Sequence, residues 1–167
     1  MYIDNWRWAE VPFYLRTGKK MPSKTTEIAI QFKRVPHLLF DRTAVQEIDP
    51  NLLVLRIQPD EGISLTFGTK VPGPEVEVRT VDMEFDYDSD FGSGRPAAYE
   101  RLLLDCILGD PTLFARSDEI DQAWQIMDPI VKHWARGGRP RSYPPDTWGP
   151  EASDDLLRLD RRSWRNS

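Results

Sequence analysis

Between Ile28 and Tyr87 four runs of period-two hydrophobicity follow one another with no helical stretch between them, and this pattern most limits the folds open to the chain. Ile28, Ile30 and Phe32 alternate with polar or small residues. Asn51 to Gln58 is the strongest strand signal, with Leu53, Leu55 and Ile57 on one side and Val54, Arg56 and Gln58 on the other. Ile63, Leu65 and Phe67 repeat the alternation after a turn at Pro59-Asp60-Glu61-Gly62. Strands joined by short connections without crossover helices pair antiparallel. In the fourth run, Val76 and Val78 have the opposite parity to Val81, Met83, Phe85 and Tyr87. A one-residue slip would turn half of these side chains outward, so a β-bulge is predicted near Arg79 to Val81. Lys33 to Pro50 reads as irregular.

Helical periodicity takes over after residue 95. Pro96 suits a first helical position, and Tyr99, Leu102, Leu103, Cys106 and Ile107 make one apolar face before Gly109. Ser117 is placed to cap a second helix, with Asp118 and Glu119 at its positive end. Ile120, Ala123, Trp124, Met127, Ile130, Val131 and Trp134 trace its apolar stripe, Pro129 is expected to kink it, and Gly137-Gly138 stops it. Four prolines make Arg139 to Pro150 a loop, and a short helix follows near Pro150 to Leu159. At the other end, Trp6 and Trp8 share a face if extended, which would lay this segment on a sheet edge or a neighbouring domain.

One stretch carries an unusual charge for this chain. From Phe13 to Phe32, two extended segments flank a loop holding Arg16, Lys19, Lys20 and Lys24. Gly18 is expected to supply a positive φ for the turn, and Pro22 stiffens its second half. Cations presented from a narrow base suit an anionic ligand. A solvated hairpin tip explains the same cluster without a ligand. Arg56, on a strand that otherwise reads as interior, needs a carboxylate, a phosphate or a route to water.

Composition removes several classes. A formal charge of −5 and a pI near 5.1 argue against nucleic acid or acidic lipid as partners. The single cysteine, Cys106, can form no internal disulfide, which fits a reducing compartment. No apolar run reaches membrane-span length, and MYIDNWRW lacks the layout of a signal peptide, so a cytoplasmic protein with no membrane contact is expected. The 167 residues fit a single domain, 1–167.

Other motifs fail on inspection. Gly92-Ser-Gly94-Arg-Pro-Ala97 imitates a dinucleotide fingerprint but lacks a following parallel strand, and Asp86, Asp88 and Asp90 would repel a pyrophosphate. Those aspartates imitate a calcium loop, with Phe91 at its glycine position and Ala97 at that of its closing glutamate. Cys106 reads as core rather than nucleophile, and His37 and His133 have no metal-type spacing. No catalytic residue and no metal ligand is assigned.

The strings YLRTGKKMPSK, WRWAEVPF, LVLRIQPDEGISL, AYERLLLDCILGD, TLFARSDEIDQAW and WGPEASDDLL together resemble the glucose-6-phosphate dehydrogenase family, in the part after the coenzyme domain. The resemblance covers nearly the whole chain in order. It implies an α+β fold, a large, mainly antiparallel β-sheet with helices packed on one face. It implies that Lys19 and Lys24 contact the phosphate of glucose 6-phosphate and that Gln58 lies on the same substrate side. For a second, structural NADP it implies Arg16 and Arg56, although Thr25, Ala29, Thr66 and Trp148 stand where other members are basic, which argues against that site. The catalytic NADP and the base are carried by the family's preceding half, so the chain reads as the carboxyl-terminal part of such an enzyme, inactive alone. The resemblance further implies a homodimer or homotetramer formed through the sheet.

Three functions follow. The chain is a piece of the NADP-dependent dehydrogenase with residual sugar-phosphate contacts, a non-catalytic assembly module, or a sugar-phosphate-binding module that performs no chemistry.

Overall fold

A computed structural model describes residues 1–34, 49–75, 77–92 and 98–166. The expectations for His37, for most of the irregular stretch before Pro50, for Val76, and for Pro96 with the glycine-rich connection lie outside the described residues.

Among the described residues the alternating runs form one antiparallel sheet of four strands in sequence order: β1 (Thr26–Gln31), β2 (Leu52–Gln58), β3 (Gly62–Lys70) and β4 (Val78–Asp86). Register aligns Ile28 with Leu55, Ile63 and Phe85, and Ile30 with Leu53, Leu65 and Met83. One face is therefore almost wholly aliphatic and aromatic. On the other, Glu27 aligns with Arg56, Gly62 and Asp86, and Val54 with Ser64 and Glu84.

The bulge expected near Arg79 to Val81 is absent. The β3–β4 register runs without interruption from Gly62↔Asp86 to Lys70↔Val78. Val78 lies at a strand end on the polar face, and a single valine there is too little buried area to force a slip. The irregularity falls instead between Thr26 and Glu27 on β1, which pair with Gln58 and Arg56.

Among the described residues four helices follow: α1 (Tyr87–Phe91), α2 (Ala98–Leu108), α3 (Ser117–Ala135) and α4 (Ala152–Arg158). α1 was not foreseen. Asp86 caps it by accepting from the Ser89 N–H at 3.0 Å, and Phe85 packs edge to face on Tyr87 at 4.8 Å and on Phe91 at 6.2 Å beside it. The cap of α3 is Arg116, one residue before the expected Ser117. Its N–H donates to Glu119 Oε2 at 3.3 Å, and the helix continues through Pro129. Gly109, at φ +73°, ends α2 as expected.

The helices do not cover the sheet as expected. Among the described residues, the appreciable helix–strand packing is that of α1 on β4. The apolar stripes of α2 and α3 stand open, with Ile107 82% exposed. Cys106 is exposed as well, not core. Periodicity states that a face needs covering and is silent on what covers it. Asp105, on the opposite side of α2, is 1% exposed and paired with Arg101 Nε at 2.9 Å. The Ile28, Ile30 and Phe32 run, expected to be half-buried, is likewise exposed.

Among the described residues two small buried apolar centres remain, Val54 in the middle of the sheet, 2% exposed, and Leu157 on α4, 3% exposed. At the N-terminus, Met1 and Phe13 exchange hydrogen bonds at 2.7 and 2.8 Å, closing a loop. Trp8 stacks edge-on to Phe13 at 5.3 Å, while Trp6 projects into solvent rather than onto the sheet edge.

Candidate functional site

The basic loop joins the extended segment 13–17 to β1, and its shape comes from distant residues. The left-handed position is Lys20, at φ 54°, not Gly18. Gly18 is there for a different reason. A Cβ would stand 2.9 Å from the Tyr143 hydroxyl and 3.0 Å from Met21 Cε, so a side chain would push the Tyr143 ring away. That hydroxyl accepts from the Lys19 N–H at 3.2 Å and donates to the Lys19 carbonyl at 2.7 Å. The Asp146 N–H donates to the Lys20 carbonyl at 2.9 Å. The backbone is thereby fixed while the side chains of Lys19 and Lys24 stay exposed. Among the described residues neither lysine forms an ion pair.

Lys24 leads into the β1–β2 end of the sheet. The Thr25 hydroxyl donates to the Gln58 carbonyl at 3.4 Å, and Thr26 pairs with Gln58 in the register. Gln58, the last residue of β2, is exposed and adjoins the second half of the loop. The three residues expected to hold substrate thus belong to one structural unit, the basic loop and the strand end beside it.

The two arginines are employed differently. Arg16 lies between two indoles, 4.7 Å from the Trp148 ring and 4.8 Å from that of Trp164. Its Nη2 donates to the Arg165 carbonyl at 2.7 Å and Nη1 to Asn166 Oδ1 at 3.0 Å. Burial lowers its pKa, opposed by the charges of Asp154 and Glu27. The tail is held further by Arg165 on Glu27 at 2.5 Å and by the Trp164 indole N–H on the Ser153 carbonyl at 3.0 Å. Tyr14 donates to Asp160 beside this cluster. Burial, then that hydrogen bond and the Asp160 charge, push its phenol up to about 12.

Arg56 lies over Gly62, with Nη1 3.8 Å from Glu84 and Nη2 3.9 Å from Asp86. A structural dinucleotide does not fit this arrangement. One guanidinium is stacked and hydrogen-bonded to the chain's own tail. The other sits among carboxylates that repel a pyrophosphate.

Tyr143, Asp146 and Trp164 were not singled out from the sequence. The Tyr143–Lys19 pair spans 124 positions, and a tyrosine inside a proline-rich loop carries no local mark of such a contact.

The class defined by this architecture is an α+β module that carries a braced cationic loop beside one end of an antiparallel sheet. A sequence profile described as "Glucose-6-phosphate dehydrogenase, C-terminal domain" matches residues 1–165. The chain belongs to that family. It is 53% identical over 163 residues to Glucose-6-phosphate 1-dehydrogenase 2 of Mycobacterium tuberculosis, covering 98% of this chain and 32% of the relative. It is 50% identical over 163 residues to Glucose-6-phosphate 1-dehydrogenase of Aggregatibacter actinomycetemcomitans, with the same coverage of both chains. The chain thus spans about a third of the length of these curated relatives. Among solved structures, a glucose-6-phosphate dehydrogenase in complex with its substrate glucose-6-phosphate superposes with a TM-score of 0.84 at 33% identity, over 99% of this chain and 34% of that one. The crystal structure of glucose-6-phosphate 1-dehydrogenase from Mycobacterium avium gives 0.78 at 35% identity, over 99% of this chain and 33% of that one.

Proposed function

We propose that this chain supplies the substrate-binding and assembly part of a glucose-6-phosphate dehydrogenase. That cytoplasmic enzyme oxidises D-glucose 6-phosphate to 6-phosphoglucono-1,5-lactone with NADP in the pentose phosphate pathway. NADP, held mainly by residues outside this chain, accepts the hydride from the sugar. Lys19 and Lys24 meet the dianionic phosphate, and the Gln58 amide serves sugar hydroxyls. The observation that carries this reading is the basic loop itself, in which Lys19 and Lys24 are exposed and, among the described residues, without ion pairs while the backbone of Lys19 is anchored. A cationic hairpin kept only for solubility requires no such anchor. The relatives' shared name and the substrate complex of a similar structure give further support.

Assembly is favoured by a second observation, the open apolar face of the sheet on which Ile28, Ile63 and Met83 are exposed. A homodimer or homotetramer would cover it.

Titrating glucose 6-phosphate into the purified 167-residue chain tests the reading. Saturable binding, weakened about tenfold or more by Lys19→Ala together with Lys24→Ala, is expected, with no reduction of NADP by this chain alone. Unchanged binding in the double variant overturns the assignment of these lysines. Coenzyme turnover by the chain overturns the division of labour.

A further inference from the structure

The proline-rich loop before α4 contains a residue whose contacts make sense only in terms of the basic loop. Tyr143 is half-buried, and its hydroxyl engages both backbone groups of one residue, Lys19, as acceptor at 3.2 Å and donor at 2.7 Å. A single side-chain oxygen that closes both the N–H and the C=O of a loop residue removes the freedom of the two peptide units flanking its Cα to rotate. The next carbonyl, that of Lys20, is held by the Asp146 N–H at 2.9 Å. Five residues after Tyr143, Trp148 stacks on Arg16, three residues before Lys19. The 143–148 segment therefore grips the chain on both sides of the lysine. Gly18 leaves room for the hydroxyl, which a Cβ would approach to 2.9 Å.

We infer that Tyr143 is a positioning residue for anion binding, one that acts through the Lys19 backbone and touches no substrate itself. This inference rests on the proposed role of Lys19 in gripping a sugar phosphate. A lysine ammonium is a point charge on a flexible stem, so its usefulness to a phosphate depends on where its Cα is held. Anchoring both peptide groups beside that Cα reduces the ordering cost of binding. The hydroxyl contributes by fixing the loop before the ligand arrives.

The test uses the 15N-labelled chain, with glucose 6-phosphate as the probe and the Lys19 amide resonance as reporter. In Tyr143→Phe the ring stays and both hydrogen bonds go. Its expected dissociation constant is about three- to tenfold higher, with the ligand-free Lys19 amide shifted and exchanging faster. Lys24→Ala weakens binding too but leaves the ligand-free Lys19 amide where it was. A purely structural tyrosine is separated from a positioning one by Gly18→Ala. In the wild-type background its added methyl displaces the hydroxyl and weakens binding. In the Tyr143→Phe background it has little further effect. Equal affinity of Tyr143→Phe and wild type overturns the inference and leaves the lysine assignment standing. The same losses from Gly18→Ala in both backgrounds also overturn it. A wild-type chain whose Lys19 resonance ignores the ligand overturns the inference together with the reading beneath it.

Discussion

Arg56 reaches Asp86 across the bare Cα of Gly62. The three residues stand in one row of the sheet, on β2, β3 and β4, and the guanidinium lies where a middle side chain would be. A Cβ at Gly62 would come within 2.5 Å of Arg56 Nη2 and 2.6 Å of the Phe85 carbonyl oxygen. Arg56 thereby obtains the carboxylates its strand position demanded, at the cost of one strand residue without a side chain.

Gly62→Ala is accordingly expected to destabilise the chain by about 1–3 kcal/mol in urea denaturation. The guanidinium end can swing aside, but the Phe85 carbonyl belongs to the neighbouring strand and cannot. Most of the loss should persist in an Arg56→Ala background. If Gly62→Ala becomes neutral there, the clash lies with the arginine alone and the strand spacing is not what requires glycine.

Arg16 presents the opposite case, a cation satisfied by aromatic faces. Arg16→Lys keeps the charge but loses the planar stack on Trp148 and Trp164 and the paired hydrogen bonds to the tail. A loss of about 1–2 kcal/mol is expected, read from chemical denaturation. Because Arg16 and Arg56 both have internal partners, NADP added to the chain should leave its Tm unchanged. A rise with NADP concentration would mean that the coenzyme displaces the tail or the carboxylates.

The strands, the two long helices and the final helix were legible because each carries a hydrophobic period long enough to count. The basic loop was legible from charge density alone. Its anchor was not, since the Tyr143 hydroxyl and Lys19 meet only through tertiary folding. Parity misled at Val78, a half-buried valine at a strand end whose phase suggested a register change. It misled again on burial. The stripes on α2 and α3 were located correctly, yet they stay uncovered, because a stripe records a demand for a partner and not the partner's place in this chain. Gly18 was assigned a conformational role when its role is steric, a distinction visible only from the atoms around it.

Tyr14 gives the chain an alkaline sensitivity of known sign. Its phenol is raised from 10.0 to about 12 by burial and by its hydrogen bond to Asp160, so the fold favours the protonated form. That contribution is complete below the unfolded value near 10 and is lost as pH rises through about 12. Wild type should therefore lose more stability than Tyr14→Phe between pH 9 and pH 12, measured as the shift in urea midpoint. Parallel pH profiles for the two proteins would show that the phenol is not held by Asp160 in solution. At neutral pH the variant itself should cost about 0.5–1.5 kcal/mol, the net worth of one hydrogen bond.

The apolar face of the sheet should govern self-association. Ile28, Leu55, Ile63 and Phe85 lie in one row across the four strands, with Ile30, Leu53, Leu65 and Met83 in the next. Met83, 61% exposed, projects from this patch on an edge strand. A continuous apolar surface of this kind is rare on a protein that stays monomeric. Sedimentation equilibrium is expected to show a concentration-dependent dimer, and Met83→Asp to weaken it by about tenfold or more, because a carboxylate would have to be desolvated in the interface. Asp118→Ala, on α3 and away from the sheet, should leave the dimer constant unchanged. If Met83→Asp associates as strongly as wild type while an equivalent charge on the apolar stripe of α3, Trp124→Asp, abolishes the dimer, the contact belongs to the helices and the sheet face is not where copies meet.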